Sequence, residues 1–524
     1  MAYLPYMTNP EITSRTRSRR RETPRAGSAP AVERSTRYRH LVNPFEPLRI
    51  FSDDQVESIH QAALGILERQ GMRILSPRGR AALAAAGASV DETTHMVRMD
   101  PALVAQALAR VPAELNLIAR NPARSCRVGG RHVVFAPVSG PPSVSDQVQG
   151  KHSGTLAHYR DWVRLSQAFD VIHVLGQMVE PQDGLIAERH LDTTLAQLTL
   201  GDKVPYFYCR GDGQLADCFA MLRIACGIDE AEFLSQPRCY TICNTNSPLQ
   251  LDLPMTDGIM EFARNGQLVI VTPFTLAGAM APITIAGALM LAHAEALFGI
   301  TLAQIVRPGT PVMYGSFTSN VDMKSGSPAF GTPEYAKAAF GAGQLARFLG
   351  LPWRSSNATA SNVPDAQSAY ESQMSLWGAL FGGCNFILHA AGWLESGLTT
   401  SYEKFILDIE MLQMFAEVFQ PVAAAPSDLA LEAVAEVGAG GHFFGCAHTM
   451  ERYRSAFYAP LVSDWRNSGS WADDGSKTAT ERASGIWRST LERYVAPPRE
   501  PAIVEALDAY VARRAAEGGA PPVT

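Results

Sequence analysis

Between residues 132 and 419 the chain repeats one unit eight times: a short apolar run, a loop, then a helical pattern. The runs are HVVFAP (132–137), VIHVLGQMV (171–179), PYFYCR (205–210), RCYTICNT (238–245), LVIVTP (268–273), PVMYGS (311–316), PWRSSNA (352–358) and FILHAA (386–391). Helical patterns follow at about 155–169, 185–200, 213–226, 254–265, 283–306, 333–349, 365–382 and 402–419. Strands alternating with helices pair in parallel through right-handed crossovers, and eight such units are what closure into a barrel needs. An open doubly wound sheet is the alternative. However, the first turn lacks a G-x-G-x-x-G loop, and no P-loop occurs anywhere. The spacing therefore predicts an α/β chain with a (β/α)8 TIM barrel over residues 129–420.

Three flanking regions complete the chain. Residues 1–40 carry an Arg/Ser-rich stretch, with nine Arg against two Glu over 13–40. It lacks an apolar signal core and reads as a solvated basic tail, with an organellar transit peptide as the alternative. Residues 41–128 read as a helical N-terminal subdomain that begins at SDDQVESIHQAALGILERQG, where a Ser N-cap precedes acidic residues and Gly71 closes the helix. Residues 421–524 read as a C-terminal extension packing on the barrel. The 18% charged and 46% hydrophobic composition is that of a chain with a large core. A net charge of −6 gives no global attraction to nucleic acid or to anionic membranes. The apolar stretch at 282–300 is interrupted by His293 and Glu295 and reads as a core helix. Eight cysteines without framework spacing suit a reduced, cytoplasmic protein. The Ala/Gly-rich helix is compatible with self-association.

In a barrel enzyme the loops after the strands build the active site. These loops collect Glu180, Gln182 and Asp183 after the second strand, Arg210 and Asp212 after the third, and Asn244 and Asn246 after the fourth. Phe274, Phe317, Asn357 and the stretch HAAGWLESG (389–397) follow the later ones. No H-E-x-x-H, C-x-x-C or G-x-S-x-G motif is present. His442, Cys446 and His448 lie close in sequence but match no common zinc spacing, so no metal is assigned. The recurring theme is acidic and aromatic, with Glu180, Asp365 and Glu395 among Phe135, Phe274, Tyr314, Phe317 and Trp393. Ring faces and carboxylates hold cations.

Three segments carry a family resemblance: NVPDAQSAYE (362–371), HAAGWLESGLTTSYEKFILDIEML (389–412) and GAGGHFFGCAHTM (438–450). With SDDQVESIHQAALGILERQGMRILSP and VVFAPVSGPPSVSD they resemble, in collinear order, the trimethylamine methyltransferase superfamily. The uninterrupted standard residues are similar to the branch that lacks pyrrolysine, whose members demethylate quaternary amines such as glycine betaine. The resemblance implies a barrel and a methyl transfer from a small quaternary amine to a corrinoid (cobalamin). That corrinoid rides on a separate small partner protein, with none tightly bound to this chain. It sets Glu395, His389 and Asp365 in catalytic roles. Trp393, Phe317, Tyr314, Phe274 and Phe135 become the aromatic wall, with Glu180, Arg210, Asn246, Asn357 and His442 as polar contacts. Arg210 and Arg354 are the strand-end cations available to a substrate carboxylate. Another acceptor such as a folate, or a betaine-binding protein without catalysis, are the alternative readings.

Overall fold

The computed structural model describes residues 38–523, so the basic tail lies almost wholly outside the described residues. The repeating units fold as β1 (His132–Phe135), α1 (Leu156–Ala168), α2 (Arg189–Leu200), α3 (Asp212–Cys226), β2 (Tyr240–Thr245), α4 (Leu253–Arg264), β3 (Leu268–Ala277) and α5 (Ile285–Val306). They continue as β4 (Val312–Gly315), α6 (Pro333–Phe348), β5 (Trp353–Ser356), α7 (Ala366–Phe381), β6 (Phe386–Leu388) and α8 (Tyr402–Val418). The strands pair in parallel in the order β2, β3, β4, β5, β6, β1. The runs at 171–179 and 205–210 form no full ladder. They join through single parallel bridges, Val174 to Val204 and Tyr206 to Tyr240. The His173 amide also donates to the Phe135 carbonyl at 2.9 Å.

Side chains alternate across a strand, and here the two parities build two separate cores. Val134, Ala136, Val174, Val204, Tyr240, Ile242, Leu268, Ile270, Met313, Phe386 and Leu388 form one. Residues of the opposite parity, such as Val133, Phe135, Val269, Val271, Val312 and Tyr314, join the larger core shared with the helices. α5 is long and apolar enough to cross a membrane by composition, but it is a mostly buried core helix. Its buried Glu295 accepts hydrogen bonds from Ser247 Oγ at 2.6 Å and the Leu249 amide at 2.8 Å.

The N-terminal subdomain contains the expected helices Asp53–Arg69, Pro77–Ala85 and Pro101–Leu108. It is not purely helical, because Met72–Ile74, Ser89–Asp91 and Met96–Arg98 form a small sheet that Gln250–Leu251 extends. Three-residue strands are too short to show alternation in sequence. In the C-terminal extension, α9 (Ala479–Glu492) packs on α8 and α1, and α10 (Pro501–Ala516) on α3 and α2. A ring stack fastens α9: Tyr402 lies between Trp162 at 4.2 Å and Trp487 at 4.4 Å. Helix α6 meets the end of α7 through Gly343, where an added Cβ would overlap the Gly382 carbonyl oxygen. Gly343→Ala is expected to cost about 1–3 kcal/mol by overpacking, read as a lower urea midpoint at unchanged m-value.

Candidate active site

A cavity of about 280 Å³ opens at the C-terminal ends of the parallel strands. Tyr206 and Tyr208 line it, with Phe274, Phe317, His389 and Trp393, while Ser139, Gly140, Ser396 and Gly397 also reach it. Tyr206 meets Tyr240 edge-on at 5.2 Å and Tyr240 meets Phe386 at 5.2 Å with the rings tilted, so the inner core forms a floor of inclined rings. Phe317 lies flat on Phe330 at 5.1 Å and meets Phe274 at 5.2 Å and, edge-on, Trp393 at 5.9 Å.

Within these rings sits one cation, Arg354, the inward-facing residue of β5. It is 1% exposed, and its guanidinium lies 5.5 Å from the Phe317 ring centre. Its Nε and Nη1 are buried without a partner among the described residues. Burial pushes its pKa down to about 10, which leaves it charged at neutral pH. Among the described residues, no Asp or Glu lines the cavity. Nearby, Ser139 Oγ and His389 Nδ1 are also buried and unpartnered. Buried polar atoms are normally bonded, so this convergence marks a place where a polar ligand group completes the set. Burial, reinforced by the Arg354 charge, pushes the His389 pKa far below its ordinary value, so the imidazole is neutral. Its ring packs on Trp393 at 4.0 Å.

The loop after β6 is held under strain. Of seven non-glycine residues with positive φ among the described residues, His389, Glu395 and Ser396 fall here. Such conformations cost about 1–3 kcal/mol each and persist only where neighbours over-determine them. Here the Gly392 amide donates to Asp408 Oδ2 at 2.8 Å, and Trp393 Nε1 to the Thr359 carbonyl at 3.0 Å. Asp408 is in turn paired with Lys404, whose ammonium also donates to Ser372 Oγ at 2.8 Å. Both members of that pair are buried.

The structure brings His389, Trp393, Phe317 and Phe274 together around the cavity and sets the other sequence candidates elsewhere. The Glu395 carboxylate is engaged by Lys151 Nζ at 2.6 Å and Thr399 Oγ1 at 2.6 Å, so it braces the loop and does not line the cavity. Burial raises its pKa, but Lys151 and Thr399 outweigh this and hold it below the usual range. Asp365 is the exposed N-cap of α7, accepting from the Ser368 amide at 3.2 Å. Glu180 is occupied by Arg189 at 2.6 Å and Arg210 at 3.0 Å. Arg210 thus shares Glu180 with Arg189 and lies 4.7 Å over the Tyr208 ring, outside the cavity lining. Phe135 and Tyr314 have the outward parity: Phe135 stacks on His173, and the Tyr314 hydroxyl meets His293 Nδ1 at 3.0 Å. Asn246 bonds Asp252 at 3.2 Å within its own exposed turn. Asn357 donates to the Ala390 carbonyl at 3.0 Å beneath the loop. His442 lies in an exposed part of the C-terminal extension. Among the described residues no group of three or more His, Cys, Asp or Glu is placed to hold a metal ion.

Tyr206, Tyr208, Lys404 and Asp408 were not legible as site residues. The alternation in PYFYCR carries the signal for the two tyrosines, since every second residue of a strand shares a face. The Lys404–Asp408 pair has the i,i+4 spacing of an ordinary surface ion pair, and only tertiary packing shows it buried. Asp408→Ala is expected to destabilise by about 3–5 kcal/mol because it strands a buried ammonium. A larger fall in denaturation midpoint than for exposed Glu451→Ala checks this.

A sequence model of the trimethylamine methyltransferase (MTTB) family matches residues 15–519. Glycine betaine methyltransferase of Desulfitobacterium hafniense (strain Y51) is 34% identical over 472 residues, covering 90% of this chain and 98% of that protein. Trimethylamine methyltransferase MttB of D. hafniense (strain DSM 10664 / DCB-2) is 29% identical over 467 residues, covering 88% and 93%. The crystal structure of Methanosarcina barkeri monomethylamine methyltransferase (MtmB) aligns over 86% of this chain and 89% of its own, at 11% identity and a TM-score of 0.48.

Proposed function

Because the chain belongs to the trimethylamine methyltransferase family and is a methyltransferase, we propose that its substrate is a zwitterionic quaternary amine of the glycine betaine type. Arg354 carries this reading. An aromatic box alone suits any methylated ammonium. An uncompensated guanidinium in its wall repels a plain cation such as choline, and a carboxylate on the substrate cancels that repulsion and fills the open donors. The similarity to a glycine betaine methyltransferase supports the same choice. We read the scaffold as a closed (β/α)8 barrel, supported by the hydrogen bonds that link all eight segments back to β1.

In this reading Arg354 fixes the carboxylate, with His389 Nδ1 and Ser139 Oγ as neutral partners. The trimethylammonium head lies against Phe317, Trp393 and the tyrosines, which replace its water. Transfer breaks one C–N bond, whose electron pair stays on nitrogen, so the amine leaves neutral and needs no proton donor. The acceptor would be a corrinoid on a separate small protein, whose reduced cobalt would supply the electron pair for the new bond to the methyl carbon. The small residues Ser139, Gly140, Ser396 and Gly397 along the cavity suit the approach of so bulky an acceptor. The chain's own contribution is desolvation and aim.

The test is anaerobic incubation with free cob(I)alamin and one amine at a time, following cobalt absorbance. Glycine betaine or a close analogue is expected to be consumed, and trimethylamine and choline not. Consumption of trimethylamine, or of nothing while a betaine still binds, would overturn the reading. Arg354→Met should raise KM for the betaine at least about tenfold, the effect of losing a bond worth 1.5–3 kcal/mol. Because the His389 imidazole stays neutral above its depressed pKa, kcat/KM should show no histidine inflection between about pH 6 and 9. A bell centred near neutrality in the pH profile would count against this geometry.

A further inference from the structure

The outer surface of α7 and α8 carries an apolar face that the described chain leaves in water. Tyr370, Met374 and Trp377 lie at i, i+4 and i+7 along α7 and are 62%, 40% and 38% exposed. Met414 and Val418 project from α8, and Phe45 from the segment leading into the N-terminal subdomain, at 45%, 49% and 39%. These positions form one patch. Trp377 stacks on Phe381 at 4.8 Å and meets Phe415 at 4.7 Å, and Phe381 meets Phe45 at 5.7 Å. At the ~150–250 Å² that a large side chain offers, the six leave on the order of 500 Å² of apolar surface uncovered. Val422, four residues beyond Val418 in the chain leaving α8, is 92% exposed. A stable interface of ~800 Å² per partner is a little over half apolar, so an apolar patch of this size matches what one side of such a contact carries.

The charges on these helices face elsewhere. The single charged residue of α7, Glu371, is buried and accepts from the amides of Ala360 at 2.9 Å and Ser361 at 3.0 Å. On α8, Glu403, Lys404, Asp408 and Glu410 are buried, and Glu417 accepts from the Tyr38 hydroxyl at 2.7 Å. A two-fold interface sets a patch against its own copy, so charges on it would meet their like. A charge-free face avoids this cost. The Arg-rich residues 13–37 run into Tyr38, seven positions before Phe45, but their composition does not suit an apolar cover.

We infer that the α7–α8 face is a two-fold interface between copies of this chain. Sedimentation velocity of the full chain at micromolar concentration should give an even multiple of 56.7 kDa. The double variant Tyr370→Lys, Met374→Lys should sediment at half the parent mass with an unchanged circular dichroism spectrum. Hydrogen exchange of α7 in the unmodified protein should slow as concentration rises, which reads the same face where the variant fails to fold. A monomeric unmodified chain, a trimer, a variant that keeps the parent mass, or exchange independent of concentration would each overturn the inference. So would a chain that associates only after removal of residues 1–37, since its own tail would then be the cover.

Discussion

The alternation of side chains along a strand is the constraint on which the rest of this structure depends. One parity builds a core with the helices, and the other builds an inner core of rings and branched aliphatics. The cavity exists because the inner parity runs out of small aliphatic fillers toward the strand ends. There β5 contributes Arg354, and the chain after the bridge at Tyr206 contributes Tyr208. Among the described residues a guanidinium there has no neighbour to neutralise it, because the acids of this end are already committed. Glu180 goes to two arginines and Glu395 to Lys151.

A second layer of constraint holds the loop after β6. Its left-handed residues are unfavourable by themselves, and they persist because buried partners leave them no alternative. The Lys404–Asp408 pair is best seen as positional. Buried ion pairs add little net stability, but Asp408 presents an acceptor to the Gly392 amide at one place only. That fixes the turn into Trp393, and so the ring that His389 packs against. Precision of this kind matters where a reaction depends on aiming a single methyl group.

The repeating grammar of the chain was the legible part. Each of the eight apolar runs was followed by a helix within a few residues of the observed one, since long periodic segments announce themselves. Two of those runs pair only through single bridges, a weakness that composition does not record. Site residues were legible by type and not by direction. Trp393, Phe317 and Phe274, singled out as aromatics close to strand ends, line the cavity. Phe135 and Tyr314 fit the same description but point outward, which only the register decides. Acidic candidates failed for another reason. A carboxylate near a strand end is as useful for capping or bracing as for binding, and Asp365 caps while Glu395 braces.

The lone charge of Arg354 also bears on what happens after transfer. On the proposed betaine reading the demethylated amine keeps its carboxylate, so the guanidinium would grip product as firmly as substrate. What changes is the other end: a fixed positive charge against the rings becomes a neutral nitrogen, and its attraction to their faces fades. Release on this reading is favoured while that nitrogen is still unprotonated, before a proton from water restores the attraction. Once protonated, it is still one methyl smaller than the box built around it, and the departing product is selected by fit and not by charge.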